Sequence, residues 1–206
     1  MLKIWGRVNS INVKKVLWCC AELGLPYERV DAGLQFGVVG TPEYGQLNPN
    51  RLVPTIDDDG FVLWESHAIV RYLSRKHGMG RLCPRDVAAQ ADVDRWMDWH
   101  ATTIWPAMRP VFWGLIRTPP DQRNPAEIEA GRTKLVSAFG ILERHLSDRA
   151  YLGGADFTMG DIPVATTLYY WFSLPIDRPA MPGVETYYRR VSARPPYPGI
   201  VAIPLT

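Results

Sequence analysis

The segment from Leu52 to Ile69, LVPTIDDDGFVLWESHAI, restricts the possible folds of this chain more than any other. Two short apolar runs flank an Asp-Asp-Gly turn, which is typical of a β-hairpin over residues 55–64. A helical pattern starts immediately afterwards, with Glu65 and Ser66 at its beginning and no loop in between. The chain must therefore place a carboxylate and a hydroxyl where a strand leads directly into a helix.

The residues before this segment predict a strand–helix–strand unit. Leu2 to Trp5 reads as a short apolar strand, Ser10 as the cap of a helix, and Gly24 as the end of that helix. The sequence YERV after Pro26 predicts a second strand, parallel to the first and joined to it by a right-handed crossover. With the hairpin added, we expect a mixed sheet of about four strands. The glycine-rich stretch 31–50 is predicted to be a loop.

Beyond residue 78 the sequence contains no convincing strand. Apolar periodicity predicts helices there, at 87–117, 126–147, 159–172 and 184–192. Pro106 and Pro110 should kink or break the first of these helices. The predicted organisation is an α/β domain at 1–78, a linker at 79–86 and an all-helical domain at 87–206.

Composition limits the possible functions. Net charge is +2 with a pI near 8.5, and the short pairs Lys14-Lys15 and Arg189-Arg190 are expected to be solvated helix faces, so nucleic acid is not an expected partner. No apolar run approaches the roughly 18 residues of a membrane span, and the start lacks the features of a signal peptide. The cysteines form no disulfide framework, which favours the cytoplasm, and the histidines show no zinc-ligand spacing.

The start of the helix after the hairpin suits an amino-acid group. A helix N-terminus presents unpaired N–H groups and a partial positive charge, which favour an anion. Ser66 adds a hydroxyl donor, and Glu65 supplies a carboxylate that can pair with an ammonium group. The alternative is purely structural, with Ser66 as a cap and Glu65 as an acid stabilised by the helix dipole.

These motifs together resemble those of the cytosolic glutathione transferases, in particular a bacterial branch. The resemblance covers essentially the whole chain and depends on four segments, NSINVKKVLW, NPNRLVPTI, ESHAI and FTMGDI. It implies a thioredoxin-like N-terminal domain with a mixed four-stranded sheet, followed by a C-terminal helical bundle. It also implies glutathione as co-substrate, a small hydrophobic electrophile as second substrate, a homodimer, and no metal.

The resemblance further implies how glutathione is held. The Val53-Pro54 bond is expected to be cis, with the main chain of Val53 pairing with the ligand as an added strand would. Without the resemblance, a trans turn proline would be the ordinary interpretation of Pro54. Gln46, Asn48 or Arg51 could hold the glycyl carboxylate, and the charge of Arg51 favours that residue.

Ser10 and Asn12 are the candidates for stabilising the glutathione thiolate. Ser10-Ile11-Asn12 matches the spacing of a Thr-Pro-Asn-Gly motif in a bacterial and fungal branch, where hydroxyl and amide both face the sulfur. Lowering a thiol pKa from about 8.5 to neutral needs roughly 2 kcal/mol. A hydrogen bond to a charged acceptor contributes about 1.5–3 kcal/mol and a helix N-terminus about 0.3–1 kcal/mol. Ser10 is slightly favoured over Asn12, and its alternative role is that of a plain helix cap.

The tryptophan-rich helix is the predicted wall of the electrophile site. Its candidate residues fall near one helical face: Trp96, Trp99, Thr103 and Trp113. The alternative is that these rings belong to the core. Arg109 is expected to be a salt-bridge partner rather than a substrate anchor. In FTMGDI, Thr158 and Asp161 have the spacing of a capping box, with Phe157 stapled onto Ile162.

The function predicted from the sequence is therefore that of a glutathione transferase acting on small hydrophobic electrophiles. One alternative is a glutathione-dependent disulfide or peroxide reductase, as the Ser10 and Asn12 pattern suggests. Another is a non-catalytic glutathione-binding or scaffold protein of the same fold.

Overall fold

A mixed four-stranded sheet forms the N-terminal part of the computed structural model, which describes residues 1–206. Its strands are β1 (Leu2–Trp5), β2 (Tyr27–Val30), β3 (Thr55–Asp58) and β4 (Phe61–Trp64), in the order β2-β1-β3-β4. β1 runs parallel to β2 and antiparallel to β3, and β3 and β4 form the hairpin. The predicted mixed sheet is confirmed.

Two helices pack together beside this sheet, α1 (Ile11–Leu23) and α3 (Ser66–His77). Gly24 ends α1 in the left-handed conformation, with φ 68°, which glycine adopts without steric cost. The apolar residues predicted to face inward from α3, Ile69, Val70 and Leu73, are all fully buried. β1 and β4 end at the same end of the sheet, since Trp5 and Trp64 both pair with Thr55, so α1 and α3 begin side by side there.

A short helix, α2 (Pro42–Leu47), lies in the segment expected to be a loop. The hydroxyl of Thr41 accepts a hydrogen bond from the amide of Tyr44 at 3.2 Å, and Pro42 occupies the first helical position. The Tyr44 hydroxyl in turn donates to the carbonyl of Leu52 at 2.6 Å. Threonine followed by proline is an N-terminal helix signal that the glycines around it obscured.

The C-terminal part is helical. It consists of α4 (Val87–Trp99), α5 (Trp105–Phe112), α6 (Pro125–His145), α7 (Asp161–Ser173), α8 (Pro182–Ser192) and α9 (Tyr197–Ile200). None of the helices has both the length and the apolar character needed to cross a lipid bilayer.

Of the kink or break predicted at Pro106 and Pro110, the break does not occur. The chain stays helical from α4 through α5, joined by a π-helical turn at residues 100–104, and a second π-helical turn follows at 113–117. A proline ring would clash with the carbonyl four residues earlier in a regular α-helix. The wider π-helical turn, in which the Trp105 amide donates to His100, gives the ring of Pro106 room and keeps the helix continuous.

Asp161 connects several segments at the start of α7. Its buried carboxylate accepts hydrogen bonds from the amides of Leu152 and Thr158, at 2.9 and 2.8 Å, and from the Tyr187 hydroxyl at 2.9 Å. The Thr158 hydroxyl also donates to this carboxylate, at 3.0 Å, instead of accepting from the helix. Half of the predicted capping box is therefore formed, and the ring of Phe157 packs on Trp18 at 5.2 Å.

One continuous apolar core extends through both parts of the molecule. Trp18 of α1 is fully buried and also packs edge-on against Tyr197, with ring centroids 5.0 Å apart. Arg194 donates two hydrogen bonds to the Glu22 carboxylate, at 2.7 and 2.6 Å. These contacts join α1 to the C-terminal segment, and a cleft lies between α5 and the N-termini of α1 and α3.

Candidate functional site

Two adjoining cavities occupy this cleft. The first, here called the Ser10 cavity, has a volume of about 300 Å³ and contains Ser10 and Val53. The second, the Ser66 cavity, has a volume of about 440 Å³ and contains Glu65 and Ser66. Asn12, Leu52 and Trp105 line both cavities, so a single extended ligand can occupy the two together.

Ser10 has an unpaired hydroxyl in the Ser10 cavity. Its main-chain carbonyl accepts from the Lys14 amide at 2.9 Å, which begins α1, but its side chain makes no capping hydrogen bond. The residue is only 7% exposed, so the hydroxyl faces the cavity rather than bulk water. The alternative role as a plain side-chain cap is not the one observed, and the hydroxyl is free to donate to a ligand.

Asn12 links the starts of α1 and α3. Its side-chain carbonyl oxygen accepts from the Lys15 ammonium at 3.0 Å and from the Ser66 hydroxyl at 3.4 Å. The amide nitrogen of the same side chain has no partner and lies beside both cavities. Because the carbonyl end is fixed by Lys15, the orientation of the free amide is fixed too.

The expectation that Lys14 and Lys15 lie on a solvated face is wrong, since both are buried. Burial lowers the pKa of Lys15 to about 7, although the nearby Glu65 carboxylate acts in the opposite direction. Burial lowers the pKa of Lys14 to about 8, and its Nζ donates to the carbonyl of Val201 at 3.0 Å. Two consecutive lysines looked solvated because the residues that cover them come from distant parts of the chain.

His67 is a further residue of the Ser66 cavity that sequence analysis did not identify. Its Nε2 lies 3.2 Å from Lys15 Nζ. Burial and then the positive charges of Lys15 and Arg71 lower the pKa of His67 to about 2, so its ring is neutral and can accept from Lys15. The lysine thus has two acceptors on the protein side of the cavity.

Glu65 and Ser66 stand together at the start of α3, as predicted. Ser66 is the first residue of the helix and is 5% exposed. Glu65 has a φ of 71°, a region that non-glycine residues rarely adopt, and its carboxylate makes neither an ion pair nor a hydrogen bond. An unpaired carboxylate therefore lies beside unpaired helix N–H groups, which is the pattern expected for binding an α-amino acid group.

The Val53-Pro54 bond is cis, as the resemblance implied. Val53 precedes β3, and neither its amide nor its carbonyl takes part in a hydrogen bond within the protein. Val53 lines the Ser10 cavity, so these free main-chain groups can pair with a peptide-like ligand there.

Arg51 does not face either cavity, contrary to the expectation that it binds a ligand carboxylate. Its guanidinium donates to the carbonyls of Val39 and Thr41, at 3.2 and 2.8 Å, and so holds the loop before α2. Asn48 has a similar structural role, because its amide donates to Leu52 at 2.9 Å. The expectation considered only the charge of side chains, whereas the partners of Arg51 and Asn48 are backbone carbonyls of the surrounding loop.

Three of the four residues predicted to wall the electrophile site lie elsewhere. The rings of Trp96 and Trp99 pack edge-on at 5.3 Å, and Trp96 also contacts His145 of α6. Thr103 lies in a groove between α5 and α6, and only Trp113 lines the Ser10 cavity. Trp96 is buried and Trp99 half-buried, and both line a separate groove with Ile141 and His145 of α6, away from the cleft.

A different face of this helix lines the cleft. Trp105, Arg109 and Trp113, spaced four residues apart, all border the Ser10 cavity. Arg109 forms no salt bridge, contrary to expectation, and its guanidinium lies 5.2 Å from the ring of Trp113. Arg7 and Arg117 complete the basic lining of the cavity. The four-residue spacing is present in the sequence, but nothing in the sequence indicates that this face, rather than the face with more tryptophans, lines the cleft.

Two family models match the sequence. Residues 1–75 match the N-terminal domain of glutathione S-transferase, and residues 125–200 match the C-terminal domain of the same family. Glutathione S-transferase GstB of Escherichia coli K12 is 38% identical over 208 residues, which is 100% of both chains. Glutathione S-transferase 3 of Zea mays is 31% identical over 215 residues, with 99% of this chain and 95% of the maize protein covered.

Solved structures agree with these sequence matches. A theta class glutathione S-transferase from Xanthomonas axonopodis pv. citri, crystallised with glutathione bound, superimposes with a TM-score of 0.96 at 43% identity. That match covers 100% of this chain and 99% of the other. Glutathione transferase F7 from Populus trichocarpa gives a TM-score of 0.87 at 25% identity over 98% of each chain.

Proposed function

Because the chain belongs to the glutathione S-transferase family and is a glutathione transferase with glutathione as co-substrate, we propose that glutathione lies across both cavities. Its γ-glutamyl end is placed at Glu65 and Ser66 and its sulfur at Ser10. The similar Xanthomonas transferase was crystallised with glutathione bound, which supports glutathione as the ligand, and the placement of its two ends is argued from the residues of this chain.

The γ-glutamyl end carries an ammonium and a carboxylate on one carbon, and the start of α3 offers a partner for each. The unpaired Glu65 carboxylate receives the ammonium. The first amides of α3 donate to the ligand carboxylate, and the Ser66 hydroxyl gives up its long 3.4 Å hydrogen bond to Asn12 to donate there too. The unpaired main-chain groups of Val53 bind the middle of the tripeptide. Arg51 has no part in this arrangement.

The thiolate is stabilised chiefly by Ser10, and the observation that carries this proposal is its unpaired hydroxyl at the start of α1. The hydroxyl donates a hydrogen bond to the sulfur and does not lose its proton. Asn12 supplies a second donor, since Lys15 holds its carbonyl end and leaves its amide nitrogen unpaired. About 1.5–3 kcal/mol from a charge-assisted hydrogen bond is enough to bring the thiol pKa close to neutral.

The second substrate is a small electrophile with an apolar body, and it binds in the Ser10 cavity against Trp105, Phe112 and Trp113. The thiolate forms a sulfur–carbon bond with it, and the leaving group departs with its electron pair. Holding both reactants in one cavity converts an encounter of two molecules into an effectively unimolecular step.

Replacing Ser10 by alanine tests the assignment. We expect the pKa of the bound glutathione thiol, measured from thiolate absorbance in the far ultraviolet, to rise by about 1–2 units. The kcat/KM near pH 6.5 should fall by about 10- to 100-fold, while the Kd for glutathione stays nearly constant. Ser10→Thr keeps the hydroxyl and is the matched control. If Asn12→Ala raises the thiol pKa and Ser10→Ala does not, the roles of the two residues are reversed.

We also propose a homodimer located in the cytoplasm, with the domain boundaries at 1–78 and 87–206. Family membership supports the dimer, and the three cysteines, all free and buried, are consistent with a reducing compartment. Sedimentation equilibrium tests the dimer, and a single species of 23.3 kDa would contradict it.

A further inference from the structure

We propose that the preferred second substrate carries an anionic group, a carboxylate or a sulfonate, which Arg7, Arg109 and Arg117 bind in the Ser10 cavity. This inference rests on the proposed function, because it concerns the electrophile that meets the glutathione sulfur there. All three guanidinium groups line the cavity, and no aspartate or glutamate lines it. Placing three guanidinium groups at a cavity costs free energy that a neutral apolar ligand would not offset, whereas an anionic ligand would.

Arg7 provides the first argument. The residue is 8% exposed, its side chain makes no hydrogen bond, and its Nε is buried without a partner. Burial and then the positive charge of Arg117 lower the pKa of Arg7, so the two guanidinium groups repel each other across the cavity. Buried charges in proteins are normally paired, and an unpaired one is costly. An anion between the two arginines would supply the missing acceptor.

Arg109 and Arg117 provide the second argument. Arg109 forms no ion pair and lies 5.2 Å from the ring of Trp113, which holds the guanidinium without neutralising it. Arg117 lies 5.0 Å from the ring of Phe112 and donates to the main-chain oxygen of Thr206 at 3.1 and 3.4 Å. The aromatic rings thus position both guanidinium groups. Arg109 keeps all of its donors for a planar acid, whereas Nε and Nη2 of Arg117 are paired with Thr206 and its Nη1 stays free.

Apart from the Thr206 oxygen that Arg117 binds, no acceptor compensates the positive charge, because no acidic side chain lines the cavity. Burial raises the pKa of Tyr170, so its hydroxyl remains neutral at physiological pH. The Nζ of Lys14 lies 5.4 Å from the centroid of the Tyr170 ring and adds to the positive potential. A cavity lined by charge of one sign raises the local concentration of oppositely charged ligands. Arginine in particular binds carboxylates and related oxyanions through two parallel hydrogen bonds.

The size of the cavity agrees with this proposal. A volume of about 300 Å³ accommodates one substituted aromatic ring or a short chain next to the glutathione sulfur. The rings of Trp105 and Trp113 contact the apolar body, and the arginines fix the acidic end. The reacting carbon is then directed toward Ser10. The rival interpretation is that these arginines hold the glycyl carboxylate of glutathione itself.

A matched pair of aryl chlorides separates these interpretations. In para-chloro-meta-nitrobenzoate and its benzamide, the glutathione sulfur forms a bond to the ring carbon, chloride leaves with the bonding electrons, and the thiol proton goes to solvent. The two compounds differ only in the charge of one group. Each kcat/KM is divided by the uncatalysed rate with glutathione, so that intrinsic reactivity cancels. We expect the wild type to favour the benzoate by about 10-fold or more, as charge-assisted hydrogen bonds imply.

The arginine variants then locate the effect. Arg109→Gln, at an exposed position, should lower the benzoate-to-benzamide ratio by about 10-fold, chiefly through KM for the benzoate. Arg7→Met should lower it similarly, and if that buried variant fails to fold, Arg117→Gln takes its place. Arg189→Gln, which removes an exposed arginine of α8 far from the cavity, is the charge-matched control.

Each outcome decides the question. Equal use of the two compounds by the wild type, or equal losses on both in the arginine variants, would overturn the anion proposal. A rise in the Kd for glutathione, measured by calorimetry, with an unchanged ratio would assign the arginines to the glycyl carboxylate. Absence of turnover with both compounds would contradict the proposed function, whereas turnover of the benzamide alone would refute only this inference.

Discussion

Replacing Lys15 by methionine should stabilise the protein at neutral pH, and the gain should shrink as the pH rises. Lys15 is 2% exposed, and burial lowers its pKa from the ordinary 10.5 to about 7. Each unit corresponds to about 1.4 kcal/mol, so the charged amine costs the folded state about 5 kcal/mol relative to the unfolded chain. Methionine has a similar length and no charge, and it removes that cost.

The sign follows from proton linkage. Between about pH 7 and 10.5 the unfolded chain holds the proton of Lys15 more tightly than the folded protein does, so wild-type stability rises with pH in this window. Below about pH 7 the full penalty is present. The variant lacks this dependence, whereas its loss of the hydrogen bonds to Asn12 and His67, about 1 kcal/mol each, is the same at every pH. The difference in stability between variant and wild type should therefore shrink by about 1 kcal/mol between pH 7 and 8.

Urea unfolding at fixed protein concentration and ionic strength, without glutathione, measures this difference from pH 6 to 9. Lys14→Met is the matched comparison, because burial lowers the pKa of Lys14 only to about 8. The pH range over which folded Lys14 loses its proton starts one pH unit higher than for Lys15. The difference in unfolding free energy between Lys14→Met and the wild type should therefore change between pH 7 and 8 by only about a third as much as it does for Lys15→Met. Parallel stability curves for the wild type and Lys15→Met would refute the reasoning. A titration of Lys15 followed by NMR provides the pKa directly.

Two further predictions concern the helical part. Asp161→Ala removes an acceptor of four hydrogen bonds and leaves buried amides unpaired. The free energy of unfolding measured in urea should therefore fall by about 3–5 kcal/mol. A loss below about 1 kcal/mol would contradict this role. Gly131→Ala places a methyl group 2.7 Å from Val111 at the contact between α5 and α6. The free energy of unfolding should therefore fall by about 1–3 kcal/mol, which thermal unfolding detects as a lower midpoint. Gly140→Ala on the same helix meets no atom closer than 3.9 Å and should instead stabilise by about 0.5–1 kcal/mol; equal effects of the two would show that packing is not the cause.

The elements that sequence analysis predicted correctly are those with local signals. The hairpin around residues 57–60, Gly24 at the end of α1 and the start of α3 at Glu65 and Ser66 all depend on turn and capping chemistry within a few residues. The contacts of Asp161 were also partly predictable, because its capping partner Thr158 is only three positions away.

The parts of the cleft that were missed depend on contacts between distant residues. Lys15 is buried beneath Trp105, ninety positions later, and a pair of lysines carries no local sign of that. Arg7 has no periodic pattern around it, and only the folded structure shows that it shares a cavity with Arg109 and Arg117. Arg51 failed as a candidate because its acceptors are backbone carbonyls, which every residue has and no sequence pattern reveals.

The π-helical turn before Pro106 has a consequence for how such a protein can change its specificity in evolution. A π-helical turn contains one residue more than an α-helical turn, so a deletion of one residue within positions 100–104 would take away the room for Pro106 but leave the later side chains on the faces they now occupy. A deletion in the α-helical stretch between residues 105 and 108 would instead turn Arg109 and Trp113 by about 100° and out of the cleft, while Glu65, Ser66 and Val53 belong to another part of the chain and would stay in place. The position of a length change along this helix therefore decides whether descendants of this sequence keep or replace the electrophile half of the reaction, and the glutathione half stays intact in both cases.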